Sequence, residues 1–315
     1  MNNFRFSLEK YSGMKSRFNC PNCGQREFVR YVDNLTREHI SDTVGKCNRI
    51  EKCGYHLPPR IFFKNENIHV DYKPITRKPI TKPTYFFPEN ILTESLHSEE
   101  HRSSLFKFFQ KYFEDEKIEK CFRKYLVGVD KNREDAVIFW QVDRGKKVRA
   151  GKIMKYDIVT GRRRKDFFSW VKKEENSDAE IRQCFYGIHL IDYLKNYRIG
   201  IVESEKTALL CDLYFDEKIV WLSSGGLNGF NEEKCKDLVG RTVILFPDLT
   251  CEKSKINASD LWTERAKTIG KKMQIQFISN NFLERVADDS SKEEQEDLGD
   301  YVIKSLNIKR NVRYD

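Results

Sequence analysis

Two sets of residues in this 315-residue chain have types and spacings that could do chemistry. The first is four cysteines. Cys20 and Cys23, in "CPNCG", place two thiolates at the C-x2-C separation that a tetrahedral zinc ion accepts. Cys47 and Cys53, in "KCNRIEKCG", add a second, wider C-x5-C pair after a gap of 23 residues, and His56 is an alternative fourth donor. Pro21 inside the first pair and Gly24 after it give the form of a zinc knuckle. A redox dithiol at Cys20 and Cys23 would need a βαβ pattern around it, which this stretch lacks. So short a segment has little apolar area to fold on by itself, so the expectation is a structural Zn²⁺.

The second set is carboxylate. Glu203 ends the apolar run "IGIVE" and Asp248 ends "TVILFPD". Ligands of open α/β sheets gather at the carboxyl ends of strands, so two acids there can share one site. A carboxylate pair at such an edge suits Mg²⁺, which takes few protein oxygens and keeps room for water and phosphate. Strand-end acids also commonly cap the following helix, and spacing alone leaves that reading open.

The elements that must position these residues follow from the pattern. Residues 1–62 alternate polar and apolar in short runs around the cysteines, which predicts a small ribbon of strands and turns. Residues 63–84, with Pro74, Pro79 and Pro83 among lysines and threonines, read as an extended linker. In 85–196, apolar residues at helical spacing from Leu105 to Phe113 and from Ile118 to Leu126 predict two core-facing helices. "DAVIFWQVD", "KVRAGKIMKYD" and "RKDFFSWVK" then predict three strands joined by tight turns. From Arg198 onward, short β-branched runs alternate with helical ones, which predicts a parallel sheet covered by helices in 197–315. The fold class is α/β, mixed α+β overall. The acidic stretch at 288–297 reads as a solvated loop.

Net charge is +9, and residues 144–173 hold twelve Lys or Arg against Asp157 and Asp166, a net of +10, so one segment carries the basic character. Arg149, Lys152, Lys155, Arg162, Arg163, Arg164 and Lys165 form the stripe, with Tyr156, Phe167, Phe168 and Trp170 interleaved. Cations neutralise phosphates while aromatic faces stack on unpaired bases, so the mixture suits single-stranded DNA; a charged face with aromatics packed beneath it is the plainer alternative. No apolar run approaches the length of a membrane span, and the first residues carry no export signal, so a cytoplasmic protein with reduced thiols is expected. Cys121, Cys184, Cys211, Cys235 and Cys251 lie singly in apolar or helical stretches and read as small core residues.

From about Ala136 to Asp300 the chain resembles the catalytic core of bacterial DNA primases with its TOPRIM domain. "VESEKTALL" is similar to that family's strand ending in Glu before a helix, "SSGGLNG" to the small-residue turn after its second strand, and "VILFPDLT" to the strand ending in D-x-D. "AVIFWQVDRGKKVRAGKIMKYD" and "CFYGIHLI" resemble stretches upstream of that domain, and a zinc-binding unit in front is the same order. The combination of "GKIMKYD", "TGRRRK" and "FPDL" further resembles primase-like proteins of mobile elements in the Bacteroidetes. The resemblance implies metal-dependent primer synthesis with Glu203 and Asp248 as catalytic residues. It also implies nucleotides as substrates, single-stranded DNA as template, and the zinc ribbon as a template contact. The sequence departs from the pattern at Ser204, where Gly is usual, and at Thr250, where the second Asp is usual. Asp260, Asp297 and Asp300 are the candidates to supply the missing Mg²⁺ ligand. Thr250 keeps a catalytically inactive, nucleic-acid-binding accessory protein as an alternative, and a TOPRIM nuclease is another; the chain is short for a topoisomerase strand gate. No P-loop of the form GxxxxGK[ST] occurs, so any helicase would be a separate chain.

Overall fold

The computed structural model describes residues 4–49, 52–70, 82–97, 103–215, 218–251, 254 and 257–311. The chain divides into two compact units, Met1–Thr81 and Lys82–Asp315. Pro74 and Pro79 of the expected linker lie outside the described residues.

The first unit is an antiparallel sheet of β1 (Phe6–Leu8), β2 (Phe28–Asp33), β3 (Gly45–Cys47) and β4 (His56–Leu57), in that order, followed by helix α1 (Pro59–Asn65). α1 runs across residue 62, so helix stands where the linker was expected to begin, with Pro59 at its first position, where a missing N–H is harmless. The core of this unit is small: Phe28 is fully buried between Cys20 and Cys47, with Phe18, Cys23, Cys53 and Tyr55 packed on it. The cysteines therefore occupy the place that aliphatic side chains hold in a larger domain.

In the second unit, helices α2 (Glu89–Leu96), α3 (Ser104–Phe109) and α4 (Asp115–Tyr125) precede an antiparallel meander of β5 (Val127–Val129), β6 (Val137–Val142), β7 (Val148–Tyr156) and β8 (Arg163–Trp170). The expected helices are α3 and α4, the first capped by Ser103, whose hydroxyl accepts from the Phe106 N–H. The three expected strands are β6, β7 and β8. β8 is irregular: Arg163 opposes Tyr156 and Phe168 opposes Met154, so four residues of β8 stand against one of β7.

The parallel sheet has the order β10–β9–β11–β12, from β9 (Arg198–Val202), β10 (Ile219–Ser223), β11 (Thr242–Leu245) and β12 (Gln276–Ser279). Between and after these strands run α5 (Glu205–Tyr214), α6 (Glu232–Cys235), α7 (Ala258–Met273), α8 (Phe282–Val286), α9 (Asp289–Glu293) and α10 (Leu298–Asn311). Both faces are apolar, as a covered parallel sheet requires. Ile199, Ile201, Val220 and Leu222 face one core, and Val202, Ile219 and Trp221 another. The first of these cores also takes Phe139, Met154 and Tyr156 from the meander, so apolar packing is continuous across residue 196. The acidic stretch at 288–297 is not a loop throughout. Its first half is α9, capped by Asp288, whose carboxylate accepts from the Ser291 N–H.

Candidate functional site

In the first unit, Cys20, Cys23, Cys47 and Cys53 bring their sulfurs within 4.8 Å of one another. Two turns make this possible. Gly24 and Gly54 each follow a cysteine with φ of 68° and 66°, a left-handed conformation that glycine adopts freely and that folds the chain back around the sulfurs. The Cys20 and Cys53 sulfurs are 3.7 Å apart. The Asn22 amide donates to Cys53 Sγ at 3.4 Å, and the Arg49 guanidinium to Cys23 Sγ at 3.8 Å. The Asn22 bond, more than any other influence, draws the Cys53 thiol down to about 6, while burial pushes Cys47 up to about 12. Four convergent sulfurs with N–H donors behind them fit the closed donor set that a structural zinc ion takes. His56 is not part of it: its ring stacks on Tyr31, with Nε2 3.1 Å from the tyrosine hydroxyl.

In the second unit, β9 and β11 are neighbours in register, Ile201 opposite Leu245, so the residues just past them meet at one sheet edge. Glu203 directly follows β9, and Asp248 lies three residues beyond β11; the Asp248 N–H donates to Glu203 Oε1 at 3.4 Å. α10 brings in a third segment. Asp297 and Asp300 cap each other at its start, the Asp300 N–H on Asp297 Oδ1 at 2.8 Å and the Asp297 N–H on Asp300 Oδ2 at 3.1 Å, while the Thr207 hydroxyl holds Asp297 Oδ2. Burial pushes Glu203 up to about 7, with the charge of Asp297 adding to it. Asp248 is raised well above the carboxylate range, first by burial and then by Asp297, Glu203 and Asp300, with Lys206 opposing. Asp300 is raised as well, mainly by burial. Lys206 is the cation among them, 3.8 Å from Asp300 and bonded to the Gly161 carbonyl at 3.3 Å.

Glu203, Asp248 and Asp297 face a cleft of about 270 Å³, whose other wall is Lys152, Met154, Tyr156 and Arg163 from β7 and β8. Glu203 and Asp248 also line a second lobe of about 420 Å³, which Thr250, Ser254 and Gln295 bound with neutral groups. Among the described residues, the four cysteines are the one group of three or more His, Cys, Asp or Glu placed to hold a metal ion together. Carboxylate oxygens are the hard donors that a divalent cation such as Mg²⁺ takes.

Of the three extra ligand candidates, Asp297 and Asp300 are brought to this centre and Asp260 is not. Asp260 is exposed on the first turn of α7, where its N–H donates to the Asn257 cap. It lines neither lobe. Thr250 is occupied structurally, its hydroxyl accepting from the Ala258 N–H at 2.9 Å.

The residues of the basic stripe stand in different environments. Lys152 is buried and gives its ammonium to both oxygens of Glu205, at 3.1 and 2.8 Å. Arg149 is held by the Arg182 carbonyl at 2.8 Å and by Asp143 at 3.2 Å. Lys155 lies over the Phe167 ring, 5.3 Å from its centroid. Arg162 pairs with Glu294 and Arg164 with Asp166. Arg163 and Lys165 are exposed and make no ion pair among the described residues, and Arg163 alone of the arginine run lines the cleft. Successive strand residues point to opposite faces, so a basic run along a strand is necessarily dealt out to different environments.

The sequence reading passed over Glu205, Lys206 and Lys234. The first two stand directly after the Glu203 motif. Lys234 is buried, donates to the Ser224 carbonyl at 2.8 Å and to Gln183 at 3.3 Å, and is pushed down to about 8 by burial. The cap it occupies after Asn231 carries no local mark of this role.

Residues 4–68 match a family model described as a zinc beta-ribbon finger, and residues 103–249 match one described as a domain of unknown function (DUF6371). No curated protein matches the chain. Among solved structures, the chain is similar to the primase fragment of the bacteriophage T7 primase-helicase protein at 17% identity. That match covers 89% of this chain and 98% of that one, with a TM-score of 0.36. It is also similar to the zinc-binding and RNA polymerase domains of Aquifex aeolicus primase, at 14% identity over 96% and 80% of the two chains, TM-score 0.37. The E. coli primase catalytic core matches at 12% identity over 69% and 82%, TM-score 0.41. Among the described residues, no helix is long and apolar enough to cross a membrane.

Proposed function

We propose that this chain is a primase-like protein of the TOPRIM type, which binds single-stranded DNA and joins nucleotides into short primers. The observation that carries the reading is one cleft in which Glu203 and Asp248, from the carboxyl ends of adjacent parallel strands, share the walls with Arg163 and Lys206. Nucleotidyl transfer needs oxygen donors for a divalent cation beside cations for phosphate, and this cleft offers both. Glu203 and Asp248 would hold Mg²⁺, with Asp297 and Asp300 behind them. The bound ion would supply charge stabilisation at the attacking and leaving oxygens. Glu203, drawn up to about 7, is suited to take the proton of an attacking 3′-hydroxyl near neutral pH. Arg163 and Lys206 orient phosphates, and the Lys152–Glu205 pair keeps β7 and α5 in place beneath them. The motif resemblance supports the same reading and extends it: the zinc ribbon contacts the template, the setting is replication of a mobile element in the cytoplasm, and a separate helicase opens the duplex.

A second reading is favoured by Thr250, whose hydroxyl is taken by the Ala258 N–H in place of a metal-binding carboxylate. On it, the chain binds nucleic acid without catalysis. Purified protein given single-stranded DNA, labelled nucleotides and Mg²⁺ separates the outcomes. Labelled oligomers that vanish in Glu203→Gln uphold the primase, shortened DNA turns the assignment to a nuclease, and binding without either leaves the accessory protein.

A further inference from the structure

The turn that joins β7 to β8, residues 157–162, stands at the rim of the acidic cleft. Tyr156 and Arg163, the strand pair from which it springs, both line the cleft, and its Gly161 carbonyl accepts from Lys206, which lines the cleft as well. The conformation of the turn is held from several sides. Asp157 Oδ1 accepts from the Val159 N–H at 2.9 Å, the Thr160 N–H at 2.7 Å and the Thr160 hydroxyl at 3.0 Å. The Gly161 N–H donates to the Asp157 carbonyl at 2.8 Å, and Lys111 donates to the Val159 carbonyl at 3.1 Å. Gly161 has a φ of 69° and lies so close to the Phe108 ring that a Cβ there would overlap it. A turn fixed this firmly nevertheless holds two aliphatic side chains out to solvent, Ile158 at 48% exposure and Val159 at 67%. Turns ordinarily carry Gly, Pro, Asn, Asp or Ser at such positions.

We propose that Ile158 and Val159 form a wedge that enters one base step of the nucleic-acid strand at the rim of the cleft. The inference rests on the nucleic-acid reading of that cleft. Charge points to the occupant. Arg162, Arg163 and Arg164 follow the tip directly, and Arg163 is exposed with no ion pair among the described residues, so a polyanion is drawn to this turn. Size points the same way. Two aliphatic side chains are too small a patch to anchor a protein interface, whereas one or two suffice to part adjacent bases, as apolar wedges do in proteins that kink nucleic acid. Rigidity supplies the rest, because unstacking costs free energy and a tip whose backbone is already ordered loses little more on binding. Parting the step there leaves the next base unstacked where the strand meets the cleft.

The test is oligonucleotide binding by the full chain, measured by anisotropy, with 2-aminopurine placed at successive positions of a single strand. This base is dim while stacked on its neighbours and bright when one of them is parted from it. One position should brighten when the wild type binds. Ile158→Thr/Val159→Thr keeps both residues β-branched and exposed, so its thermal melting should match that of the wild type. Its affinity should fall about tenfold, the apolar burial lost less the unstacking no longer needed, and the bright position should disappear. Val159→Trp, which offers a stacking ring at the same point, should darken that position instead. Brightening that survives in the double variant, with Arg163→Ala still weakened in affinity, overturns the wedge and spares the cleft. Binding by the wild type with no position brightened also overturns it, and leaves the aliphatic pair to a protein partner. If the wild type binds no oligonucleotide, the cleft reading fails and takes this one with it.

Discussion

The thiol site and the carboxylate site solve opposite problems. The four cysteines close to within 4.8 Å and form much of the core of a unit that has little else to bury. The carboxylates line a cleft, on a sheet whose core is complete without them. Where the ligands are the core, a metal is a condition of folding; where they are appended to a finished core, it is a ligand like any other. The first site is closed, and the second opens on a cleft.

The comparison predicts a graded set of responses. Removing a thiol should have the largest effect. Cys20→Ala, or chelation of the wild type, should unfold the first unit and leave the second with its cooperative transition, because structural zinc supplies on the order of 10–16 kcal/mol in units of this kind. Metal content by mass spectrometry and two-step thermal melting check this. Next comes the buried Lys152–Glu205 pair. Lys152→Met alone strands a carboxylate that is 1% exposed and should destabilise the second unit by about 3–5 kcal/mol, whereas Lys152→Met with Glu205→Leu should recover most of that in urea unfolding.

A smaller effect is the pH dependence of the acidic centre. Glu203 is raised in the folded state, so its contribution to stability is full below its ordinary value near 4.5 and is lost as pH rises through about 7. The metal-free second unit should therefore melt at lower temperature at pH 8 than at pH 6. Mg²⁺ competes with the same proton, so its affinity should rise about tenfold over that interval in calorimetric titration, and Glu203→Gln should flatten both trends. A melting temperature that rises between pH 6 and pH 8 would break the assignment. The smallest expected response is that of Asp260→Ala, which should leave Mg²⁺ affinity within twofold of wild type, while Asp297→Asn should weaken it several-fold.

The two sites also differ in how far the sequence discloses them. The cysteine pairs are local, each held on one turn by a following glycine, so spacing was enough to assign them and to leave only His56 undecided. Glu203 and Asp248 were legible because parallel strands put their carboxyl ends at one edge, a rule of topology. Asp297 is different. It lies about 50 residues past Asp248 in an acidic stretch that reads as solvent-facing, and only the packing of α10 beside α5 turns it inward. Asp260 was a plausible substitute by composition alone, but it stands exposed on the first turn of α7, away from the other carboxylates. The basic stripe was visible as charge, but strand alternation and the bulge in β8 decide which cations remain free, and composition cannot express either.

The reciprocal capping of Asp297 and Asp300 has a consequence in time. A ribosome lengthens a chain by roughly 5–20 residues per second, and domains fold as units from the N-terminal side. Cys53 emerges long before Asp300, with on the order of 250 residues and some 12–50 s of synthesis between them at that rate. The nascent protein thus acquires its zinc-binding unit early and its acidic centre only when α10 arrives, and until then the cleft lacks one wall.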